Sequence, residues 1–229
     1  MPGGLCLVAT PIGNLGDLSP RAVEALKAAD IWVVEDTRIS AKLAFHLEIK
    51  KPMRVMNDHT TPAQVIRYVD EIAAGSQIAV VTDGGSPTVS DPGAILTDAC
   101  LTRGLPVTGI PGPCAAIYAL SLSGFFGQRF VFLGFLGRKA GAIRGELTAF
   151  ADSPLTIILY ESPHRIETLL SAAHDALGPR RYAIGRELTK AFEQIYRAEL
   201  PYVPTEEEVP RKGEITVVIE GRRRVRGVD

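Results

Sequence analysis

The sequence predicts an α/β protein of two domains, the first with a mostly parallel sheet and the second with a mixed sheet. In the first half, continuously apolar runs such as QIAVV alternate with helix-like segments, as expected of parallel strands covered on both faces. In the second half, strand-like runs follow one another through short connections, which favours some antiparallel pairing. The glycine-containing polar segment SGFFGQR separates these two patterns of strands and helices. We therefore predict domains at residues 1–123 and 124–229, each long enough to bury a core.

Each element of the first domain follows from a local pattern. The predicted strands are GLCLVAT, IWVVED, MRVMN, QIAVV and PVTGI, and the predicted helices are RAVEALKAAD, TRISAKLAFHL, AQVIRYVDEIAA, AILTDACLTR and GPCAAIYALSLS. Pro20 is a suitable first helical residue, and Thr61-Pro62-Ala63-Gln64 combines an N-cap, a first-turn proline and a capping-box glutamine. Asp91-Pro92 has the same character before the fourth helix.

The second domain is predicted in the same way. Its strands are FVFLGFL, LTIILYES, RYAIGREL, FEQIYRAEL and EITVVIEG, and its helices are AGAIRGELTAFA and HRIETLLSAAHDAL. Ser162-Pro163 is predicted to cap the second of these helices. The last two strands are expected to pair antiparallel with earlier ones.

Composition and missing motifs exclude several classes of protein. The 25 basic and 26 acidic residues balance, so overall charge does not indicate a nucleic-acid partner, and the run Arg222, Arg223, Arg224 and Arg226 is interpreted as a solvated tail. The three cysteines and four histidines have no metal spacing, so we expect no metal site. The chain lacks a P-loop, a GxGxxG turn and a GxSxG elbow, which argues against nucleotide triphosphatases, dehydrogenases and lipases. MPGG does not resemble a signal peptide and no apolar run reaches ~18 residues, so a cytoplasmic protein outside the membrane is expected.

The segment VTDGGSPTVSDPG, which begins at the last residue of QIAVV, is the strongest candidate for a binding loop. In parallel sheets, ligands bind beyond the carboxyl ends of the strands. Gly84 and Gly85 permit positive φ and close approach of backbone to a ligand, while Pro87 and Pro92 stiffen the loop. An ordinary turn before a helix capped by Asp91 is the alternative. The neighbouring loops ATPIGN and IPGP are also rich in glycine and proline, which favours a binding surface.

Three charged clusters also follow predicted strands. They are EDTR with Glu35, Asp36 and Arg38, ESPHR with Glu161, His164 and Arg165, and RELTK with Arg186, Glu187 and Lys190. Charge at the end of a buried strand is costly unless it is paired or used. One such cluster alone would indicate a local ion pair at a helix start, but three together favour a polar active cleft.

These loops, taken in order, resemble a known family. VATPIGN, EDTR, SDPG, IPGP, GFLGRK, YESPHR and RELTK are similar to the branch of the tetrapyrrole methylase superfamily, the class III S-adenosylmethionine (SAM) methyltransferases, that modifies small-subunit ribosomal RNA. The match extends from about Leu5 to Gly221. The resemblance implies a cofactor cleft between two α/β domains, a homodimer, and 2'-O-methylation of a cytidine in the decoding region of 16S rRNA, with the 30S subunit as partner.

The resemblance also implies roles for individual residues. Candidate catalytic residues are Asp36, Glu161, Glu187 and Lys190. Candidate SAM-binding residues are Pro11, Asp83, Gly84, Gly85, Ser86, Ser90, Pro111, Ala115 and Ala116. Candidate RNA-binding residues are Arg38, Arg138, Lys139, Arg165 and Arg186.

The chain departs from the family pattern at several positions. Gly137 replaces the usual proline of G-F-L-P-R-K, and Asn57-Asp58-His59-Thr60-Thr61 replaces H-E-H-N-E. Family members often carry a small helical extension that grips RNA, whereas this sequence ends soon after its last predicted strand. RNA binding is therefore expected to depend on the second domain and the dimer surface. Two alternatives stay open: a tetrapyrrole methylase of cobalamin or siroheme synthesis, and a non-catalytic RNA-binding or ribosome-assembly factor.

Overall fold

A computed structural model describes residues 3–91 and 93–223, so Pro92, Arg224 and Arg226 lie outside the described residues. The chain divides into two compact units, Met1–Cys114 and Ala115–Asp229. Within the described residues, no helix is both long and apolar enough to cross a membrane.

The first unit contains a five-stranded parallel sheet. Its elements are β1 (Gly4–Val8), α1 (Pro20–Ala28), β2 (Ile31–Val34), α2 (Thr37–His46), β3 (Met53–Val55), α3 (Pro62–Ala73), β4 (Gln77–Val81), α4 (Gly93–Thr102) and β5 (Val107–Ile110), with a 3-10 turn at Leu15–Asp17. The strand order is β3-β2-β4-β1-β5, and every pair is parallel. The predicted elements and the parallel sheet are confirmed.

Strand β4 shows why its sequence is apolar without interruption. Ile78 and Val80 belong to a core that includes residues of α3 and α4, whereas Ala79 and Val81 belong to a second core that includes residues of α1 and α2. Side chains alternate between the faces of a strand, so a strand covered on both faces needs apolar residues at every position.

Two of the predicted helix caps have different outcomes. Thr61 and Gln64 form the reciprocal capping box that the sequence predicts at the start of α3. At the other site, Ser162 makes no side-chain capping bond, and Pro163–Arg165 form a 3-10 turn before the α-helix begins at Ile166. The predicted serine cap is therefore wrong, because the inserted turn moves Ser162 away from the first α-helical amides.

The second unit contains a five-stranded mixed sheet. Its elements are α5 (Ala115–Ser123), β6 (Phe130–Phe135), α6 (Ala140–Thr148), β7 (Thr156–Glu161), α7 (Ile166–Leu177), β8 (Arg181–Arg186), β9 (Gln194–Glu199) and β10 (Ile215–Ile219). The order is β6-β7-β10-β8-β9. The β6–β7 pair is parallel and the other pairs are antiparallel, as predicted for the last two strands.

Helix α5 belongs to the second unit, although the predicted boundary at residue 123 assigns it to the first. It contacts β7, β8, β9 and β10 and buries Ala116, Ala119 and Leu120. The compact units thus divide before α5 rather than after it. The opposite face of the sheet forms one core with α6 and α7, around Leu147, Leu159 and Leu170.

The described part of the C-terminal arginine run pairs with the body of the second unit. Arg222 forms an ion pair with Asp152, and Arg223 donates to Glu220 at 3.0 Å. Both arginine side chains remain largely exposed, so these pairs are weak.

Candidate functional site

The carboxyl edge of the first sheet is built from loops that bond to one another. The amide of Thr10 donates to Gly85 O at 2.9 Å, and the amide of Gly85 donates to Thr10 O at 3.0 Å. The Ser86 hydroxyl donates to Pro113 O at 3.0 Å. The loops after β1, β4 and β5 therefore form one connected surface, which contains most of the predicted SAM-binding residues.

The two glycines of the β4 loop contact the protein itself. Gly85 has φ +97°, and an added Cβ would lie 3.3 Å from Ile12 Cγ2. Gly84 does not adopt positive φ, and a Cβ there would lie 3.3 Å from Pro11 O. Both glycines permit positive φ, but only Gly85 adopts it. Their small size lets the β4 loop pack against the loop after β1.

Two other residues of the β4 loop have strained backbone. Thr88 and Ser90 have φ of +73° and +63°, which costs about 1–3 kcal/mol for each non-glycine residue. Such strain persists only where the surroundings impose it. Asp91 contributes by accepting a 2.7 Å hydrogen bond from the amide of Gly93, at the start of α4. Backbone strain of this kind is typical of ligand-binding loops.

This edge concentrates carboxylates in partly buried positions. Burial raises the pKa of Glu35, and the nearby charges of Asp83 and Asp91 raise it further. Burial also raises the pKa of Asp83 and of Asp91, and the buried Oδ2 atom of Asp91 has no hydrogen-bond partner among the residues that the structure describes. We call Glu35, Asp83 and Asp91 the acidic cluster. Its charged state is costly in the free protein, and a bound cation would offset that cost.

Asp36 and Arg38 bind each other. The Arg38 Nε donates to Asp36 Oδ1 at 3.0 Å, and the Arg38 amide donates to the same oxygen at 2.8 Å. The hydrogen bonds from Arg38 lower the pKa of Asp36 to about 2, which makes Asp36 a weak base. The Asp36 amide in turn donates to Asp83 at 3.2 Å, so the pair borders the acidic cluster.

The carboxyl edge of the second sheet brings together the other predicted clusters. Ile215 of β10 pairs with Glu161 of β7 on one side and with Arg186 of β8 on the other. Because neighbouring strands lie about 4.8 Å apart, Glu161 and Arg186 are roughly 10 Å apart in backbone position. ESPHR and RELTK therefore share this edge of the second sheet.

Arg165 is fixed in place by its contacts. It donates to Gly137 O at 2.8 Å and forms a 3.2 Å ion pair with Glu161, whose side chain is only 2% exposed. Its Nε is buried and has no hydrogen-bond partner among residues 3–91 and 93–223. The other Glu161 oxygen accepts from the Ser162 amide at 2.7 Å. These contacts attach the loop that carries Arg138 and Lys139 to the end of β7.

Glu187 and Lys190 form a second ion-pair network. Lys190 Nζ donates to Glu187 at 2.9 Å and to Glu214 at 2.8 Å. Burial would lower the pKa of Lys190, but its bonds to Glu214 and Glu187 raise it overall. Burial would likewise raise the pKa of Glu187, but the bond from Lys190 lowers it overall. The ion pairs thus keep Glu187 as a carboxylate and Lys190 as a cation.

The remaining candidate residues differ in how freely they can bind a ligand. Arg186 donates to Lys212 O at 2.8 Å and to Phe192 O at 3.3 Å, so part of its guanidinium holds the backbone. The side chains of Arg138 and Lys139 are exposed, and neither side chain has a hydrogen-bond or ion-pair partner among residues 3–91 and 93–223. Ser90 and Pro111 are exposed at the first edge, whereas Ala115 and the buried Ala116 begin α5 in the second unit.

Residues 4–204 match the family Tetrapyrrole (Corrin/Porphyrin) Methylases. The chain belongs to the tetrapyrrole methylase family. Within it, the chain is 42% identical over 224 residues to ribosomal RNA small subunit methyltransferase I of Xylella fastidiosa (96% of this chain, 82% of that one). It is 43% identical over 222 residues to the protein of that name in Synechocystis sp. (96% and 79%). The resemblance found from the loop motifs is confirmed.

Solved structures of the family support the fold. The methyltransferase CobJ has a TM-score of 0.72 and 18% identity, covering 97% of each chain. A uroporphyrin-III C-methyltransferase from Thermus thermophilus, complexed with S-adenyl homocysteine, has a TM-score of 0.63 and 20% identity, covering 94% of this chain and 96% of that one. At these identities the likeness concerns the fold alone. The ribosomal RNA methyltransferase branch is favoured over the corrinoid and siroheme methylases, because the relatives of about 40% identity belong to it.

Two acidic residues of this tetrapyrrole methylase were not selected from the sequence. Glu35 was grouped with EDTR, and Asp91 was interpreted as a helix cap. The structure places both in the acidic cluster. The available signal was their position directly after apolar strands or within the binding loop, but sequence alone did not distinguish Glu35 from its neighbour Asp36.

Proposed function

We propose that this protein transfers the methyl group of SAM to the 2'-hydroxyl of a cytidine in the decoding region of small-subunit ribosomal RNA. The observation that carries the proposal is the identity of about 40%, over almost the whole chain, to proteins named ribosomal RNA small subunit methyltransferase I. The acting form is a homodimer in the cytoplasm, and the substrate is the 30S subunit. These details extend the resemblance and are part of the proposal.

The acidic cluster at the first edge suits a cationic cofactor. SAM, when bound, would supply an electrophilic methyl group and carries a sulfonium and an ammonium charge. The Oδ2 atom of Asp91 is buried and has no hydrogen-bond partner among the described residues, and the pKa values of Asp83 and Asp91 are raised; a cationic ligand would relieve both costs. The nine residues predicted to bind SAM keep that role in the proposal, and Asp91 is added to them.

The four predicted catalytic residues are given different roles. Asp36 and Glu187 have lowered pKa values and are poor proton acceptors. Lys190 is a cation that can stabilise negative charge on the 2'-oxygen. Glu161 has both oxygens engaged and is assigned to positioning. Glu35 has a raised pKa, so we favour it over Asp36 as the acceptor of the 2'-hydroxyl proton.

Among the predicted RNA-binding residues, Arg138 and Lys139 are the ones best suited to phosphate. Their charges are exposed and unpaired within the described residues. Arg165 is assigned to holding the loop that carries them, through Gly137. Such an arrangement contacts phosphate while leaving base recognition to other residues.

The test is methyl transfer to defined substrates. Small subunits from cells that lack the gene are incubated with the protein and with SAM labelled on its methyl group, and the digested RNA is analysed by mass spectrometry. Labelled 2'-O-methylcytidine at one decoding-region position is expected. Uroporphyrinogen III, offered in parallel, is expected to remain unlabelled.

The outcomes separate the candidate functions. Label on a base, or on no nucleotide, would refute ribose methylation. Label on the tetrapyrrole instead would support the corrinoid and siroheme branch. Glu35→Gln should lower turnover at saturating SAM, and a turnover equal to that of the wild type would remove Glu35 from proton transfer.

A further inference from the structure

The loop between β8 and β9 presents an exposed aromatic ring. It comprises residues 187–193, and the side chain of Phe192 within it is 76% exposed. The loop lies at the carboxyl edge of the second sheet, because Arg186 and Gln194 pair at the base of the hairpin. Phe192 thus projects from the edge where the ESPHR and RELTK clusters lie.

Hydrogen bonds hold this loop in one conformation. The Glu187 amide donates to Glu214 O at 2.9 Å, and the Lys190 amide donates to Glu187 O at 3.0 Å. The Thr189 amide donates to a carboxylate oxygen of Glu193 at 2.6 Å. The ion pairs of Lys190 with Glu187 and Glu214 add to these bonds.

The loop is also strained. Glu187 and Thr189 have φ of +49° and +65°, and Thr189 is β-branched, for which this region is unusual. The Thr189 hydroxyl is buried and has no hydrogen-bond partner within the described part of the chain. A loop that needed only to connect two strands has no reason to keep these costs together. They are consistent with a loop whose conformation serves to fix the position of Phe192.

The surroundings of Phe192 indicate what kind of partner it fits. Its chain neighbours are the exposed Ala191 and Glu193, so neither adds a large apolar side chain next to the ring. Arg186 donates to Phe192 O, and no carboxylate pairs with its guanidinium among the described ion pairs. An exposed ring on a loop whose backbone is bonded to a cation matches a nucleotide, which offers an aromatic base next to a phosphate.

We propose that Phe192 stacks on a base of the RNA substrate, with Arg186 as the positioning residue that holds the backbone of Phe192. This inference rests on the proposed function, since it names how the same RNA is recognised. Stacking is independent of base identity, so Phe192 adds affinity and fixes the nucleotide's position.

The first test measures steady-state kinetics on small subunits that lack the methyl group. Phe192→Ala should lower kcat/KM for the RNA about 5- to 150-fold, since one base-stacking contact is worth roughly 1–3 kcal/mol. SAM affinity should stay unchanged, and Phe192→Tyr should restore most of the activity. Phe45→Ala is the matched control, because Phe45 is 87% exposed on α2 of the other unit. It should behave as the wild type does.

The second test does not require turnover. The chain has one tryptophan, Trp32, which is fully buried, so Phe192→Trp introduces a new exposed fluorophore. A single-stranded RNA of the decoding-region sequence should quench its fluorescence, whereas Phe45→Trp should show no change. Addition of salt should reverse the quenching.

Three results would overturn the inference while leaving the proposed function intact. They are wild-type kcat/KM for Phe192→Ala on small subunits, loss of SAM affinity in that variant, and a change of oligomeric state in light scattering. If the wild type methylates no RNA, the proposed function fails. In that case, quenching of Phe192→Trp by RNA still supports base stacking, and its absence refutes it.

Discussion

Substitution of Gly85 tests whether the β4 loop must lie against the loop after β1 to form the cofactor site. Gly85 has φ +97°, and an added Cβ would lie 3.3 Å from Ile12 Cγ2 and 3.6 Å from Pro113 O. An alanine at this φ costs about 1–3 kcal/mol in backbone strain. In addition, Ile12 must move by a few tenths of an ångström, which displaces the loop.

Gly75→Ala is the control for Gly85→Ala. Gly75 has φ +114°, and an added Cβ there meets nothing within 4 Å. It lies between α3 and β4, at the opposite edge of the sheet. Both variants should therefore lose about 1–3 kcal/mol of unfolding free energy, and only Gly85→Ala should disturb the site.

The consequence for binding can be estimated from that displacement. If restoring the loop geometry costs about 1–2 kcal/mol on binding, the Kd for SAM rises about 5- to 30-fold. Isothermal titration calorimetry measures the Kd, and urea unfolding measures the stability. The reasoning is refuted if Gly85→Ala binds SAM as the wild type does, or if Gly75→Ala weakens binding equally.

Three further predictions concern ion pairs, pH and assembly. Arg165→Met should cost about 2–4 kcal/mol of unfolding free energy, because it leaves the buried Glu161 charge unpaired. The additional change Glu161→Gln should restore most of the loss, and additive losses would contradict the pairing. The raised pKa of Glu35 means that its contribution to stability is present at low pH and lost as the pH rises through that value, so Glu35→Gln should raise the Tm of the SAM-free protein at pH 8 and leave it unchanged near pH 3. An equal Tm at pH 8 would show that the carboxylate is not destabilised. Light scattering at micromolar concentration should give twice the 24.6 kDa chain mass, and the mass of a single chain would reject the homodimer.

The fold was predictable because the apolar pattern of each strand depends on which of its faces are buried. The run QIAVV is apolar at successive positions, since Ile78 and Val80 face one core and Ala79 and Val81 face the other. Helix α5 gave no comparable signal for its location. Its sequence, AAIYALSLS, is largely apolar, and such a helix does not indicate which sheet it covers. The position of the unit boundary depends on that choice.

The candidate site was predictable by region but not by role. Arg165 and Arg186 stand in charged clusters after strands, which correctly indicated the edge of the second sheet. Their partners include the carbonyls of Gly137, Lys212 and Phe192, and every residue has a carbonyl, so sequence gives no sign of such a bond. The presence of an arginine at the end of a strand therefore does not show whether it binds a ligand or positions other residues.

The pKa values of the adjacent residues Glu35 and Asp36 could not be predicted from the sequence either. Arg38 lies two residues after Asp36 and lowers its pKa to about 2, while burial and neighbouring carboxylates raise the pKa of Glu35. Both effects depend on the direction in which each side chain leaves the strand end. Asp83 and Asp91, which act on Glu35, come from a loop some fifty residues later in the chain, so no local pattern contains this information.

The charges left unpaired in the second unit lead to a last, quantitative prediction. The side chains of Arg138 and Lys139 are exposed and have no partner among the described residues, whereas Arg165 and Lys190 are held by carboxylates. Each phosphate neutralised in single-stranded nucleic acid contributes about −0.7 to the slope of log K against log salt concentration. The double variant Arg138→Ala/Lys139→Ala should therefore reduce the magnitude of that slope by about 1.4 for a decoding-region RNA oligonucleotide. Lys190→Ala, which removes a paired cation, should change it much less. Fluorescence anisotropy between 50 and 300 mM salt, about the range over which such slopes are resolved, measures both. An unchanged slope in the double variant would show that these two exposed cations do not contact phosphate, whatever its effect on methylation.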